Sequence, residues 1–225
     1  MKLFLGGGGG KEDSIELDKK FVVNLDLSKP LLYIPIAINT NKHPYSGCLE
    51  WLLDVFSPLR VKNIAMWTED DLKHKQEKDF EQFSGVYIGG GNTFKLIKEL
   101  KEFGTFEILK KLAQKDIPIY GGSAGAIIFA KTIIPALSAD ENFVELTDFS
   151  AFNLVKNYDM WCHYSESLNP TIKSYMDKYS LKKVIAIPEN AGLYVTKDNI
   201  EAIGSGDVKI FEGEDIKTIG PGMLF

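Results

Sequence analysis

Residues 117–127, Ile-Pro-Ile-Tyr-Gly-Gly-Ser-Ala-Gly-Ala-Ile, are the stretch of sequence on which the fold prediction depends most. A buried-strand pattern runs into two glycines and Ser123, and an apolar run over residues 126–130 follows. This G-x-S-x-G spacing predicts a nucleophile elbow, a sharp strand-to-helix turn that exposes one hydroxyl at the top of a sheet. The glycines permit a strained backbone and a close approach of strand and helix. A Gly-rich strand-to-helix turn that binds a phosphate, or binds nothing, is the alternative interpretation.

Strand-like and helix-like segments alternate along the chain up to this turn. Strand patterns cover residues 2–5, 31–38, 61–67 and 86–88. Apolar residues at helical spacing cover residues 13–25, 46–57, 94–100 and 105–114. Alternation of this kind predicts an α/β fold with a mainly parallel sheet and helices on both of its faces.

The chain after the elbow has a different pattern. A loop-rich stretch is followed by a strand pattern at 158–164, a helix pattern at 169–179 and a strand pattern at 184–187. Four short apolar pieces within residues 193–219, separated by Gly, Asp and Asn turns, predict a C-terminal antiparallel meander. No linker or repeat divides the chain, so we expect a single domain over residues 1–225.

Composition and charge narrow the classes of function. The 225 residues carry a net charge of −5, with a pI near 5.3, which argues against a nucleic-acid-binding protein. No apolar run approaches the roughly 20 residues that span a bilayer, so no membrane association is expected. Two cysteines and three histidines, in no metal or redox spacing, predict no metal, no cofactor and a cytoplasmic location. The sequence is compatible with a homodimer.

Ser123 needs a base before its hydroxyl can act as a nucleophile. His163, 40 residues downstream, is the only histidine at a predicted strand end after the elbow. A lone histidine on an apolar strand is commonly a packed core residue, but the need of the serine for a base favours His163. The candidates for the acid that orients this base are Glu189, at a strand end, and Asp140 or Glu141, in the loop after the elbow helix.

Two other glycine runs follow predicted strands. Residues 89–92, Gly-Gly-Gly-Asn, could place backbone N–H groups beside Ser123 and, with the N–H of Ala124, stabilise a tetrahedral oxyanion. A second phosphate loop is the alternative for this run. Residues 6–10 are five glycines, but no G-K-[ST] follows them. For this run we expect a flexible loop at the sheet edge that could line an active site.

Three segments, in this order, carry a resemblance to a known family. They are residues 87–94 (Tyr-Ile-Gly-Gly-Gly-Asn-Thr-Phe), 121–126 (Gly-Gly-Ser-Ala-Gly-Ala) and 187–190 (Ile-Pro-Glu-Asn). Together they resemble the peptidase E (S51) serine peptidases, which include aspartyl dipeptidases and the related cyanophycinases. The resemblance implies a flavodoxin-like three-layer sandwich, similar to the class I glutamine amidotransferases. It also implies a serine hydrolase that acts on small peptides.

The resemblance implies roles for individual residues. Ser123 would be the nucleophile and His163 the base. The backbone N–H groups of Gly90 or Gly91 and of Ala124 would be the oxyanion donors. Loss of one such donor typically lowers the rate about 100- to 1,000-fold.

The third catalytic residue differs within the family. Some members have an Asp in the loop after the elbow helix, and others have the Glu of an I-P-E or I-D-E strand end. Glu189, 26 residues after His163, matches the second pattern and is the favoured acid, with Asp140 as the alternative.

Asn92 and Lys173 are the candidate substrate-binding residues, and in the helix of Lys173 the chain departs from the aspartyl dipeptidases. Those enzymes hold the aspartate of the substrate with an arginine in the helix after the catalytic histidine. The matching helix here offers Lys173 and Lys178, and the only arginine is Arg60, far upstream. A lysine lacks the two-pronged fork with which arginine holds a carboxylate. Aspartyl specificity is therefore not expected.

Three hypotheses for function remain. The first is a serine peptidase that acts on short peptides through a Ser-His-Glu or Ser-His-Asp acyl-enzyme mechanism. The second is another serine acyl hydrolase, an esterase or amidase, on the same scaffold. The third is a non-catalytic protein that binds an anion between the glycine-rich loops. A nucleophilic Cys162 is a weaker variant, because a cysteine beside an apolar strand is usually a small core residue.

Overall fold

The computed structural model describes all 225 residues, which form eleven strands and seven α-helices. The strands are β1 Leu3–Gly6, β2 Leu31–Ile34, β3 Ile64–Met66, β4 Gly85–Ile88, β5 Ile119–Gly122, β6 Asp159–Trp161, β7 Lys183–Ala186, β8 Ala191–Val195, β9 Ile200–Gly204, β10 Val208–Glu212 and β11 Asp215–Ile219. The helices are α1 Ile15–Val22, α2 Tyr45–Phe56, α3 Glu69–Leu72, α4 Thr93–Glu102, α5 Thr105–Gln114, α6 Ala124–Ile127 and α7 Asn169–Tyr179.

The central sheet has seven strands in the order β3-β2-β4-β5-β1-β8-β9. The five strands from β3 to β1 are parallel, whereas β8 and β9 are antiparallel additions at one edge. The predicted mixed α/β architecture with a mainly parallel sheet is therefore confirmed. Because parallel strands end at the same edge, the segments that follow β1, β4 and β5 meet above the sheet.

Alternate residues of the central strands pack against different helices. Leu32 and Ile88 belong to one large apolar cluster with residues of α4 and α5. Leu31 and Tyr87 belong to a second cluster, with residues of α1 and α2. Because successive strand side chains point to opposite faces, both faces of the sheet are covered by helices. No helix is both long and apolar enough to cross a membrane.

The predicted C-terminal meander is wrong in its pairing, although all four of its strands form. The hairpin β8–β9 extends the central sheet, but β10 and β11 pair with β7 and β6 in a second sheet of order β11-β10-β7-β6. The chain leaves the central sheet at Gly204, whose φ of +116° a residue with a side chain rarely adopts. There the N–H of Ser205 donates to the carbonyl of Asn190 instead of continuing β9. The helix α7 packs on the second sheet through residues that include Ile172 and Met176.

Candidate active site

Ser123 lies at a strained turn between β5 and α6. Its φ of +50° falls in the left-handed region, which a residue with a side chain enters at a cost of order 1–3 kcal/mol. Two glycines make the turn sterically feasible. A Cβ on Gly121 would lie 2.1 Å from the carbonyl oxygen of Gly125, and a Cβ on Gly125 would lie 2.3 Å from that of Ile88. The turn therefore presents the serine hydroxyl at the carboxyl edge of the central sheet.

Ser123 contacts a histidine, and this histidine contacts a carboxylate; both follow strands of the second sheet. The Oγ of Ser123 is 2.8 Å from Nε2 of His163, and Nδ1 of His163 is 2.8 Å from Oε1 of Glu189. His163 follows β6 and Glu189 follows β7, and these strands are parallel neighbours. His163 also has a positive φ, +53°. The structure thus brings together the three side chains that the sequence nominated as nucleophile, base and favoured acid.

The glycine run at the end of β1 holds the histidine, which the sequence analysis missed. The backbone N–H of His163 donates to the carbonyl of Gly7 at 2.8 Å. Gly8, with a φ of +107°, lies directly against the imidazole, since a Cβ there would be 2.2 Å from Cε1 of the ring. The run is therefore a packed support between the two sheets rather than the flexible loop expected. Only the three-dimensional contact between His163, which follows β6, and the glycine run after β1 reveals this role.

Three backbone N–H groups in the loops that meet at Ser123 are unpaired. The backbone N–H groups of Gly90, Gly91 and Ala124 have no acceptor within the protein. Gly90 is close to the nucleophile, because a Cβ on it would lie 3.2 Å from Cβ of Ser123. Donors so placed can stabilise negative charge that develops on a substrate oxygen.

Asp140 and Asn92 serve the start of α4 rather than the histidine. The carboxylate of Asp140 accepts the N–H of Thr93 at 2.8 Å. The side-chain oxygen of Asn92 accepts the N–H of Lys95, and its amide nitrogen donates to the carbonyl of Glu141. Both polar ends of Asn92 are thus already paired, and it lines neither cavity beside Ser123. The structure therefore does not place Asn92 among the residues that line the site, contrary to the prediction that it binds substrate.

Lys173 lies away from Ser123, contrary to the prediction that it contacts substrate. Its Nζ is 2.8 Å from Oε2 of Glu214, in a separate depression at the C-terminal end of α7. Lys173 is held there because the β10–β11 turn of the second sheet places Glu214 beside this face of the helix. Cys162 also differs from a nucleophile, because its thiol is buried and burial raises its pKa to about 12.

Two cavities flank Ser123. One, of about 500 Å³, is lined by six glycines and by larger residues that include Tyr33, Ile38, His43, Pro44, Trp51 and Tyr87. We call it the aromatic cavity. The other, of about 700 Å³, contains His163 and is bounded by the loop of Asp140 and by Thr171 of α7; we call it the Asp140 cavity. Both volumes lie in the range of small-molecule sites.

A serine on a strand-to-helix elbow, in line with a histidine and a carboxylate, is the arrangement that defines the serine hydrolases. The sequence places the chain more narrowly. Residues 3–203 match the model of peptidase family S51, and the chain belongs to that family. It is therefore a peptidase and a hydrolase.

Relatives of known name agree with this assignment. Peptidase E of Shewanella denitrificans is 27% identical over 212 residues, which cover 90% of this chain and 85% of the relative. Peptidase E of Pasteurella multocida is 26% identical over 198 residues, or 81% and 82% of the two chains.

Solved structures share the fold. A peptidase from an acI-B1 Actinobacterium superposes with a TM-score of 0.72 at 16% identity, covering all of this chain and 96% of the other. A Listeria monocytogenes EGD-e protein assigned to peptidase E superposes with a TM-score of 0.66 at 20% identity, covering 97% and 98%.

Proposed function

We propose that this chain is a serine peptidase that hydrolyses short peptides, in the manner of a dipeptidase, with Ser123 as nucleophile. The observation that carries the proposal is the unbroken line from Ser123 Oγ through the imidazole of His163 to Glu189, with 2.8 Å at each step. These are hydrogen-bond distances at which a proton can pass from the hydroxyl to the ring.

The proposed reaction has two halves. The Oγ of Ser123 attacks the peptide carbonyl carbon while its proton moves to Nε2 of His163. Collapse of the tetrahedral intermediate breaks the C–N bond, and the imidazolium gives its proton to the leaving amine. Water, deprotonated by the same nitrogen, then attacks the acyl-serine ester and releases the acid. Glu189 accepts the Nδ1–H of the ring and holds the tautomer in which Nε2 is free to take a proton.

The N–H groups of Gly90 or Gly91 and of Ala124 are the proposed oxyanion donors. Each of these N–H groups needs no reorganisation at the moment of reaction, because the backbone already fixes its position.

The proposal includes a peptide substrate, no nucleic-acid partner and a cytoplasmic location.

We also propose a more specific description of the fold, based on the strand order of the central sheet. Strands β3-β2-β4-β5 keep the 2-1-3-4 part of the flavodoxin order, with β1 in the place of the fifth strand. We regard the sheet as a variant of the flavodoxin-like three-layer sandwich, and residues 1–225 as a single domain.

A panel of dipeptides, assayed beside a chromogenic ester, tests the function. We expect the wild-type protein to release free amino acids from at least one dipeptide. Cleavage of the ester with no dipeptide cleaved would favour an esterase on the same scaffold. Binding of small anions with neither substrate cleaved would favour the non-catalytic alternative.

Paired substitutions separate the two candidate acids. We expect Glu189→Gln to lower kcat at least about tenfold, because an amide can present the wrong hydrogen-bonding atom to Nδ1 of His163. Asp140→Asn keeps an oxygen that can accept the N–H of Thr93, and we expect its kcat to stay within about threefold of wild type. Steady-state kinetics on one dipeptide measures both. The reverse order of effects would assign the acid to Asp140.

A further inference from the structure

The aromatic cavity is the feature of the site that the proposed mechanism leaves unused. It begins at Ser123 and ends against Trp51 of α2, and Gly47 forms part of its wall. Trp51 remains 42% exposed. Aromatic side chains left partly open beside a reactive centre are typical anchors for a ligand.

The walls of this cavity contain one basic side chain, the imidazole of His43. No lysine, arginine, aspartate or glutamate lines it. Tyr33 and Tyr87 contribute phenol rings, and burial holds the pKa of both hydroxyls above the usual value, so they remain neutral. The nearby thiol of Cys48 has its pKa raised by burial as well. Apart from His43, such walls offer dispersion contacts and neutral hydrogen bonds to a ligand.

The Asp140 cavity also lacks a cation for an acidic substrate. No lysine or arginine lines it, and Asp140 itself is its one carboxylate. Lys173, the residue that the sequence analysis offered in place of the arginine, does not line this cavity and is paired with Glu214. A side-chain carboxylate that entered either cavity would lose water without gaining a lysine or arginine as its partner, which is unfavourable.

We propose that the aromatic cavity selects peptides with an uncharged aromatic or large aliphatic side chain beside the scissile bond, and that acidic side chains are rejected there. This inference rests on the proposed function, because it takes Ser123 as the reacting centre. Removing a benzyl group from water into such a cavity typically improves binding about 10- to 100-fold over a methyl group.

Binding can be measured apart from cleavage with the Ser123→Ala protein. Isothermal titration calorimetry would compare Phe-Ala, Ala-Phe, Ala-Ala, Asp-Ala and Ala-Asp. We expect one phenylalanine dipeptide to bind at least about tenfold more tightly than Ala-Ala, and the dipeptide with aspartate in the same position to bind more weakly than Ala-Ala. Equal affinities for phenylalanine and alanine dipeptides, or tightest binding of an aspartyl dipeptide, would overturn the inference.

A cavity-filling variant locates the effect. Gly47 lines the cavity, and a Cβ on it would have only Cγ of Pro44 within 4 Å, at 3.9 Å, so Gly47→Phe is the substitution chosen to place a ring in the cavity. In the Ser123→Ala background we expect it to reduce the preference for phenylalanine over alanine to below about threefold. Glu50→Phe is the matched control, since Glu50 is exposed on the same helix and does not line the cavity. A preference that survives Gly47→Phe would overturn the assignment to this cavity.

The two proposals fail in different ways. A phenylalanine preference in binding, with no dipeptide hydrolysed by the wild-type protein, would contradict the peptidase function and leave the cavity assignment standing. Hydrolysis that depends on Ser123 but favours aspartyl or alanyl substrates would contradict only the cavity assignment.

Discussion

Ser123→Ala is expected to lower kcat for peptide hydrolysis by at least about 10,000-fold. The substitution removes the proposed attacking atom, the Oγ of Ser123. The methyl group that replaces it has no acidic proton for His163 to accept and cannot act as a nucleophile. The Oγ of Ser123 hydrogen-bonds to no residue except His163, so the fold should be kept. Initial rates on the best dipeptide of the panel, with thermal melting as a check on folding, measure the effect.

The matched control for this substitution is Ser46→Ala. Ser46 is an exposed residue of α2 that lines neither cavity, so its loss should leave kcat within about twofold of wild type. A folded Ser123→Ala protein that still cleaves dipeptides at the wild-type rate would remove Ser123 from the mechanism.

Gly8→Ala is expected to have the second largest effect, about 100-fold on kcat/KM. The new Cβ would lie 2.2 Å from Cε1 and 2.5 Å from Nε2 of His163, so the ring must move by close to 1 Å. A displacement of this size at a catalytic group typically costs about 100-fold. The left-handed φ of +107° adds strain for any residue with a side chain. Kinetics on the same dipeptide measures the loss.

Gly10→Ala provides the control within the same run. A Cβ on Gly10 would meet only Oδ2 of Asp13, at 3.7 Å, so no atom of the site has to move. We expect this variant to keep nearly full activity. If Gly8→Ala were as active as Gly10→Ala, the glycine run would have no part in positioning His163.

Local patterns carried enough information to predict much of the fold. Helices α5 and α7 have the predicted bounds, because each has apolar residues at helical spacing between clear stop signals. The second sheet was not predicted, because strand pairing is a long-range property. Nothing in the sequence near β10 indicates that β7, rather than β9, is its neighbour.

The candidate site, like the fold, could be predicted from the sequence only in part. Ser123, His163 and Glu189 each follow a strand, and motif spacing was enough to nominate them as neighbours. Asn92 and Lys173 were nominated by position along the chain, but other residues of the protein occupy their polar groups. The contact of Gly8 with the imidazole and the aromatic cavity both depend on segments far apart in sequence, which no motif records.

Covalent labelling of the wild-type protein with a fluorophosphonate, followed by tryptic digestion and mass spectrometry, tests the central claim most directly. Such a reagent modifies a serine that a neighbouring base has activated. Residues 116–131 form one tryptic peptide in which Ser123 is the only serine. We predict one adduct, on this peptide, that abolishes peptide hydrolysis and is absent from the His163→Ala protein. An adduct on another peptide, or full hydrolytic activity in protein labelled at Ser123, would contradict the account.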